Sequence, residues 1–156
     1  MQENETVFNA ITQKLQSVHH TITEHEPVRT SEEAAQVRGT TLDSGAKAML
    51  ICNSASMVLA VMSASKKLDW KMMKRTLGTK SLRFANEEEV VKATGCLPGG
   101  VPPFGSVFGL QTYLDESLKL QGEYINFNAG LRTKSISMRV QDYIQTENPI
   151  ESNFTK

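Results

Sequence analysis

The sequence predicts one compact domain of the α/β (α+β) class, which mixes helices with strands. Its 156 residues are enough to bury one substantial hydrophobic core but too few for two large ones. Two apolar runs, one ending at Cys52 and one covering 57–62, flank a short polar turn, a pattern typical of a buried β-hairpin. Amphipathic segments with helix-capping residues lie before and after this hairpin. We therefore expect the hairpin in the middle of a sheet, with helices around it.

The other elements follow from periodicity and capping residues. Apolar residues at helical spacing predict a helix within 4–18 that packs on a core spanning about 27–145. The residues from 148 to 156 are expected to form a loose tail. Further strands are predicted at 20–25, 82–84, 107–110, 124–128 and 135–140, the last at a sheet edge, with a tight turn at 128–130. Further helices are predicted at 31–38 after the N-cap Thr30, at 65–77, at 87–94 after the N-cap Asn86, and as a short helical or turn segment at 114–120.

Charge and composition argue against several classes of protein. The 17 basic and 17 acidic residues give a formal net charge of zero, so only a local nucleic-acid contact surface is expected. No apolar run approaches the roughly 20 residues that span a bilayer, and the acidic N-terminus is unlike a signal peptide. The two cysteines and the isolated group of His19, His20 and His25 predict neither a disulfide framework nor a metal site. We expect a cytoplasmic protein with no membrane partner.

Residues 95–105, here called the glycine–proline loop, contain four glycines and three prolines among small apolar residues. This mixture is incompatible with the interior of a helix or strand, so the segment must be a shaped loop. Because it is too apolar for a flexible linker, we interpret it as one wall of a binding site. The backbone N–H groups of Gly99 and Gly100 are then candidates to bind an anionic or carbonyl oxygen. The alternative is a rigid turn that binds nothing.

Lys47 stands at the entrance of the first hairpin strand. A lysine is rarely buried without a partner, so its ammonium group either extends to solvent at the strand end or points into a cleft. Both alternatives are compatible with the sequence.

The segment 66–83 is basic in an otherwise neutral chain. It carries seven basic residues against the single acid Asp69, namely Lys66, Lys67, Lys71, Lys74, Arg75, Lys80 and Arg83. Such a run is usually a solvated helix face, but it is also the pattern of a surface that contacts phosphates.

A protein nucleophile is not evident. The sequence has no Gly-x-Ser-x-Gly, Walker or dinucleotide-binding motif and no recognisable Ser-His-Asp set. Cys96 follows a predicted helix C-terminus, where the helix dipole raises the pKa of a thiol and weakens it as a nucleophile. What remains is a cleft with Lys47, the loop amides and a polar turn at Asn128, which can stabilise an oxyanion.

Three motifs together resemble a known family. They are Gly45-Ala46-Lys47-Ala48 before the hairpin, the basic helix ending at Leu77-Gly78, and Gly99-Gly100-Val101-Pro102-Pro103 with Phe104-Gly105. In this order, over about 27–142, they are similar to the YbaK/ProX family. That family comprises aminoacyl-tRNA deacylases and the editing insertion domain of bacterial prolyl-tRNA synthetase.

The resemblance implies a fold and an activity. The fold would be a compact domain around a curved, mixed, mostly antiparallel sheet, and the activity would be hydrolysis of mischarged aminoacyl-tRNA in trans, without a cofactor. By similarity, Lys47 would bind the terminal adenosine or the substrate carbonyl, and Gly99 and Gly100 would place amides against the ester. The 2′-hydroxyl of that adenosine would help to activate water.

The resemblance also implies which residues contact the substrate. The amino-acid pocket would be lined by Thr30, Val101, Pro102, Pro103, Phe104, Asn128, Ala129 and Gly130. The acceptor end of tRNA would contact Lys66, Lys67, Lys71, Lys74, Arg75 and Lys80, and an aminoacyl-tRNA synthetase is a further candidate partner. Several family members carry serine at the position of Asn128, and threonine or asparagine at that of Ala48, so the amino-acid specificity does not carry over.

Two alternatives stay open. A non-catalytic tRNA-binding or synthetase-associated module would bind tRNA through the basic segment without turnover. An enzyme acting on a small ligand, or through a thiol, would depend on Cys96 instead of Lys47.

Overall fold

A computed structural model describes residues 3–156, and its strands form two sheets. The helices are α1 (Thr6–Lys14), α2 (Ser31–Arg38), α3 (Trp70–Leu77), α4 (Glu87–Thr94), α5 (Ser117–Leu120) and α6 (Val140–Glu147), with a 3-10 helix at Gly105–Phe108. The strands are β1 (His20–Glu24), β2 (Ala46–Cys52), β3 (Met57–Ser63), β4 (Arg83–Phe84), β5 (Thr112–Asp115), β6 (Tyr124–Leu131), β7 (Lys134–Arg139) and β8 (Ile150–Ser152). The predicted mixed α/β class is confirmed, but two sheets replace the single one expected.

The larger sheet has the strand order β4-β2-β3-β5-β8, and the smaller one the order β1-β7-β6. The predicted hairpin of β2 and β3 is confirmed as an antiparallel pair from Ala46–Ser63 to Cys52–Met57. β5 joins β3 in parallel, and β8 joins β5 in parallel, so the larger sheet is mixed. A single parallel bridge between Gly45 and Asn126 links the two sheets next to the start of β2.

Alternation along the hairpin strands places hydrophobic clusters on both faces of the larger sheet. Leu50 and Leu59 belong to the main core, which also includes residues of α1 and β6. Ile51 and Met62 point to the other face, where Met73 of α3 covers them. The hairpin is therefore buried on both sides, which explains its nearly continuous apolar sequence.

The helix termini follow the local signals in the sequence. The Asn86 side chain accepts from the Glu89 N–H at 2.8 Å, and the Glu89 carboxylate accepts from the Asn86 N–H, which completes a capping box for α4. Thr30 caps α2 as predicted, but Glu33 accepts from the Arg29 N–H instead of that of Thr30. Because its N-cap is Asp69, α3 begins at residue 70 instead of 65.

Several local predictions are wrong. The segment 107–110 is not a strand, because Ser106 donates to the buried Glu147 carboxylate and the chain there forms a 3-10 turn. The expected tight turn at 128–130 is instead a bulged continuation of β6. The strand predicted at a sheet edge, β7, is the central strand of the smaller sheet.

The C-terminal tail is ordered, contrary to the prediction. β8 pairs with β5, and Phe154 is fully buried against the α3 side of the larger sheet. The buried carboxylate of Asp115 accepts hydrogen bonds from the Phe154 N–H at 2.7 Å and from the Thr155 hydroxyl at 2.9 Å. These contacts connect segments about forty residues apart, so no local pattern indicates them.

Within residues 3–156, none of the helices combines the length and the apolarity needed to cross a membrane.

Candidate functional site

A cavity of about 190 Å³ lies where α2, the start of β2, the glycine–proline loop and β6 meet. Its lining includes Thr30, Arg38, Lys47, Ala48, Gly99, Val101 and Asn128. β4 pairs with β2 only at Ile51 and Cys52, so within residues 3–156 the first half of β2 has no strand neighbour on this side. The cavity therefore occupies an open sheet edge, closed by a helix and a loop.

Lys47 projects from the α3 face of β2 into this site. Its Nζ donates a hydrogen bond to the Lys66 carbonyl at 2.9 Å, and it is partly buried. Burial lowers the pKa of Lys47 from its ordinary value, while Glu32 raises that pKa and Lys67 lowers it further. Of the two alternatives drawn from the sequence, the structure places the ammonium group at a cleft.

Of the two loop N–H groups predicted to be available, those of Gly99 and Gly100, only that of Gly99 lacks an acceptor within residues 3–156. Gly100 donates its N–H to the Leu97 carbonyl at 2.9 Å, and its carbonyl accepts from the Gly130 N–H at 2.8 Å. The prediction that the Gly100 N–H is available to bind a substrate oxygen is therefore wrong, because this N–H is already hydrogen-bonded within a turn. Gly99 has a φ of 90°, lines the cavity, and donates its N–H to no other group in residues 3–156.

A chain of hydrogen bonds fixes Gly99 to the smaller sheet. The Asn128 amide donates to the Gly99 carbonyl at 2.6 Å, while its oxygen accepts from Arg38 Nη2 at 2.9 Å. Arg38 Nε donates to the Ser135 hydroxyl at 2.8 Å, and a ring nitrogen of His25 lies 2.7 Å from the same hydroxyl. Asn128 is thus the direct connection between this network and the loop.

Arg38 was missed by the sequence analysis, where it was only the last residue of a helix before Gly39. Burial lowers the pKa of its guanidinium to about 10. Within the part of the chain described, no carboxylate forms an ion pair with it. Its partners are the neutral Asn128 and Ser135, which are about ninety residues away, so no local signal points to its role.

Several residues predicted for the substrate pocket lie in the core instead. Phe104 is fully buried, in edge-to-face contact with Phe127 and Tyr143 at centroid distances of 5.6 and 5.2 Å. The Pro103 carbonyl accepts a hydrogen bond from the Tyr143 hydroxyl. Pro102, Ala129 and Gly130 are also buried, and none of these five predicted residues lines the cavity. These five residues lie on the core side of the site, whereas Thr30, Val101 and Asn128 line the cavity.

The predicted basic surface is divided between two positions. Lys66 and Lys67 follow β3 and lie beside Lys47. The Lys66 carbonyl accepts a hydrogen bond from the ammonium group of Lys47. α3 carries Lys71, Lys74 and Arg75 away from its buried Met73, and Lys80 follows the helix. All six side chains are exposed or partly exposed.

Cys96 is only 2% exposed and does not line the cavity. Burial raises the pKa of its thiol to about 11, against a smaller opposing effect of a hydrogen bond with Thr94. The thiol is therefore protonated at neutral pH, which does not favour a role as nucleophile. Among residues 3–156, no cluster of three or more histidine, cysteine, aspartate or glutamate side chains could hold a metal ion.

Comparison with known proteins agrees with this architecture. Residues 25–146 match the family model of the aminoacyl-tRNA editing domain. The chain belongs to this family. This editing domain is 34% identical over 137 residues to the multifunctional Ser/Thr-tRNA deacylase ProXp-y of Escherichia coli K12, a match covering 85% of this chain and 81% of that protein. The family expected from the sequence motifs is thereby confirmed.

Two further similarities concern prolyl-tRNA synthetase. A proline–tRNA ligase of Shouchella clausii is 35% identical over 77 residues, which are 49% of this editing domain and 14% of the ligase. A crystal structure provisionally assigned as a trans-editing enzyme for prolyl-tRNA synthetase has a TM-score of 0.85 and 25% identity, covering 97% of this chain and 98% of that one.

Proposed function

We propose that this editing domain is a trans-acting aminoacyl-tRNA deacylase that hydrolyses the ester of mischarged tRNA. This proposal rests on one observation: Lys47 and Gly99 line the same cavity, and the Gly99 N–H has no acceptor in residues 3–156. A cation and a fixed N–H donor are the groups that stabilise the oxyanion formed when water attacks an ester. Family membership supplies the class of ester.

The reaction needs no covalent enzyme intermediate. Water adds to the carbonyl carbon of the aminoacyl ester, and the negative charge that develops on the carbonyl oxygen is stabilised by Lys47 and the Gly99 N–H. The bond between that carbon and the ribose oxygen then breaks, and the ribose hydroxyl recovers a proton as the free amino acid leaves. The adjacent 2′-hydroxyl of the substrate is the group we propose to orient the attacking water, as the resemblance implies.

The cavity favours a small amino acid with a polar side chain. Its volume of about 190 Å³ is smaller than the roughly 300–1,000 Å³ typical of drug-sized ligand sites. Thr30, Arg38 and Asn128 provide polar groups along its wall, whereas Val101 and Ala48 limit its size. Serine and threonine fit this combination, and the Escherichia coli relative is named as a Ser/Thr-tRNA deacylase.

We further propose that the basic segment binds the acceptor end of the tRNA. Lys66 and Lys67 adjoin the cavity, and α3 extends the positive surface, so phosphates near the 3′ end are the groups within reach. The similarity to part of a proline–tRNA ligase makes a synthetase a candidate partner. This activity requires a location in the cytoplasm, where charged tRNA is used.

The test is the release of amino acid from a panel of tRNAs charged with alanine, proline, cysteine, serine, threonine and 2-aminobutyrate. We expect turnover well above spontaneous hydrolysis for serine or threonine. The triple change Lys71→Ala, Lys74→Ala, Arg75→Ala should raise KM more than it lowers kcat, because these residues contact phosphates and not the ester. Binding of tRNA without turnover on any substrate would instead identify a non-catalytic recognition module.

A further inference from the structure

The strand β1 forms an edge of the smaller sheet, and none of its residues lines the cavity. It pairs with β7 on one side, and within residues 3–156 no strand pairs with its other side. All of its residues except the first are exposed. We propose that this free edge binds β1 of a second copy of the chain, as an antiparallel pair with a twofold axis at Ile22. Assembly of this kind is independent of the proposed function.

The direction of the backbone groups along β1 shows which of them are available. The His25 N–H donates to the Thr133 carbonyl at 2.9 Å, so residue 25 directs its backbone groups toward β7. Because this direction alternates along a strand, every second residue of β1 directs its N–H and C=O to the free edge instead. These residues are His20, Ile22 and Glu24. In the part of the chain that the structure describes, their outward groups bond to no other backbone group.

A twofold axis at Ile22 pairs all of these groups. In an antiparallel pair, residues directly opposite each other can exchange both of their backbone hydrogen bonds. Ile22 then lies opposite Ile22 of the second copy, and His20 lies opposite Glu24 at each end. An axis at any other residue of β1 would leave at least one of the three outward residues without a partner inside the other strand. The resulting contact is isologous and closes at two copies.

The side chains of β1 are complementary to the same strand in the reverse direction. The sequence His20-Thr21-Ile22-Thr23-Glu24 has a threonine on each side of the central isoleucine, an imidazole at one end and a carboxylate at the other. The axis therefore places threonine opposite threonine and imidazole opposite carboxylate, which are favourable cross-strand pairs. His20 Nδ1 lies 2.7 Å from the Val18 carbonyl, which leaves Nε2 to meet the carboxylate of the second copy.

Ile22 supplies apolar surface at the axis. It is 46% exposed, although it lies directly opposite the buried Ile136 and so shares the core face of the smaller sheet. Pairing at the axis would bring two such side chains together and extend this core across both copies. Natural sheets usually block a free edge with proline, lysine or a bulge, but β1 contains neither residue and keeps a regular register with β7.

The first test is sedimentation velocity of the full chain from about 5 to about 500 µM. This range covers the weak dimers expected of an interface smaller than about 1,200 Å². We expect a reversible equilibrium between monomer and dimer. A monomer at every concentration would overturn the proposal, and so would assembly beyond two copies, because an isologous contact closes.

The second test locates the interface. Ile22→Lys should raise the dissociation constant of the dimer at least about tenfold, since it places two like charges at the axis and removes the apolar pair. Ile150→Lys is the matched control, because Ile150 is 45% exposed on β8, the edge strand of the larger sheet. It should leave the dissociation constant within about twofold of wild type. A dimer that resists Ile22→Lys, or that Ile150→Lys dissociates, would show that β1 is not the interface.

The third test examines the register. His20→Glu alone places two carboxylates opposite each other at both ends of the pair and should raise the dissociation constant about fivefold. The double change His20→Glu, Glu24→His restores an imidazole opposite a carboxylate and should return the constant to within about twofold of wild type. The Tm of each variant verifies that it is folded. A double variant as weak as His20→Glu would refute the axis at Ile22.

Discussion

The most informative single change is Asn128→Asp, because it alters one hydrogen bond of the site and preserves the shape of the side chain. The Asn128 oxygen accepts from Arg38 at 2.9 Å and from Ser135 at 3.2 Å, and an aspartate oxygen would keep both bonds. The amide nitrogen donates to the Gly99 carbonyl at 2.6 Å, and the second aspartate oxygen would meet that carbonyl without a proton to share. The change therefore releases Gly99 selectively.

Its expected effect on stability is small. The lost neutral hydrogen bond stabilises the fold by about 0.5–1.5 kcal/mol, and the repulsion between two oxygens adds to this cost. The new carboxylate offsets it by pairing with Arg38, whose pKa is lowered to about 10 by burial without a charged partner. We expect the free energy of unfolding to change by about 1 kcal/mol or less, since these contributions oppose each other.

Its expected effect on catalysis is large. A displacement of about 1 Å in a positioned group can reduce a rate about a hundredfold, and Gly99 carries the amide proposed to face the ester. Single-turnover hydrolysis of seryl-tRNA should therefore fall about 10- to 100-fold, while the Tm stays near that of the wild type. Asn128→Ala loses both sets of bonds and should lower the Tm as well. Wild-type activity in Asn128→Asp would refute the argument that Asn128 positions the loop.

Three further changes test other parts of the structure. Cys96→Ala should keep turnover within about twofold of wild type in the same assay, because the buried thiol has a pKa of about 11 and is not ionised at neutral pH; inactivation without unfolding would contradict this. Phe154→Ala should reduce the free energy of unfolding in urea by about 3–5 kcal/mol, since the side chain is fully buried, whereas a loose tail would predict no change. The pKa of Glu89 is lowered to about 2 by Arg83, so its contribution to stability is fully present above about pH 4.5 and is lost as the pH falls toward 2. Acid titration of Glu89→Gln by circular dichroism should lack this component, and a titration identical to that of the wild type would contradict it.

The sequence predicted those features that depend on neighbouring residues. Asn86 and Gly95 delimit α4 because capping side chains and a left-handed glycine act within one helical turn. The hairpin was predictable because two apolar runs of strand length flank a short polar turn. Lys47 and Gly99 were identified through the residue types around them, and the structure places both at one cavity.

The features that were missed depend on contacts between distant parts of the chain. The alternating pattern of β7 indicated an edge strand, but Ser135 is buried because it binds Arg38 and His25. The tail is ordered by Asp115, which lies on another strand. The glycines and prolines predicted the loop. They did not predict that the Gly100 N–H is hydrogen-bonded within a turn, because this depends on the position of the Leu97 carbonyl.

Hydrolysis of the ester beside Lys47 can be tested by the rate of a variant that lacks the ammonium group. The single-turnover rate on the best substrate of the panel is compared for wild type, Lys47→Met and the control Lys92→Met, which changes an exposed lysine of α4 outside the cavity. We expect Lys47→Met to be about 10²- to 10³-fold slower with tRNA affinity nearly unchanged, as for removal of an oxyanion-stabilising group. The control should match wild type. A folded Lys47→Met protein with the wild-type rate would show that Lys47 does not stabilise the oxyanion.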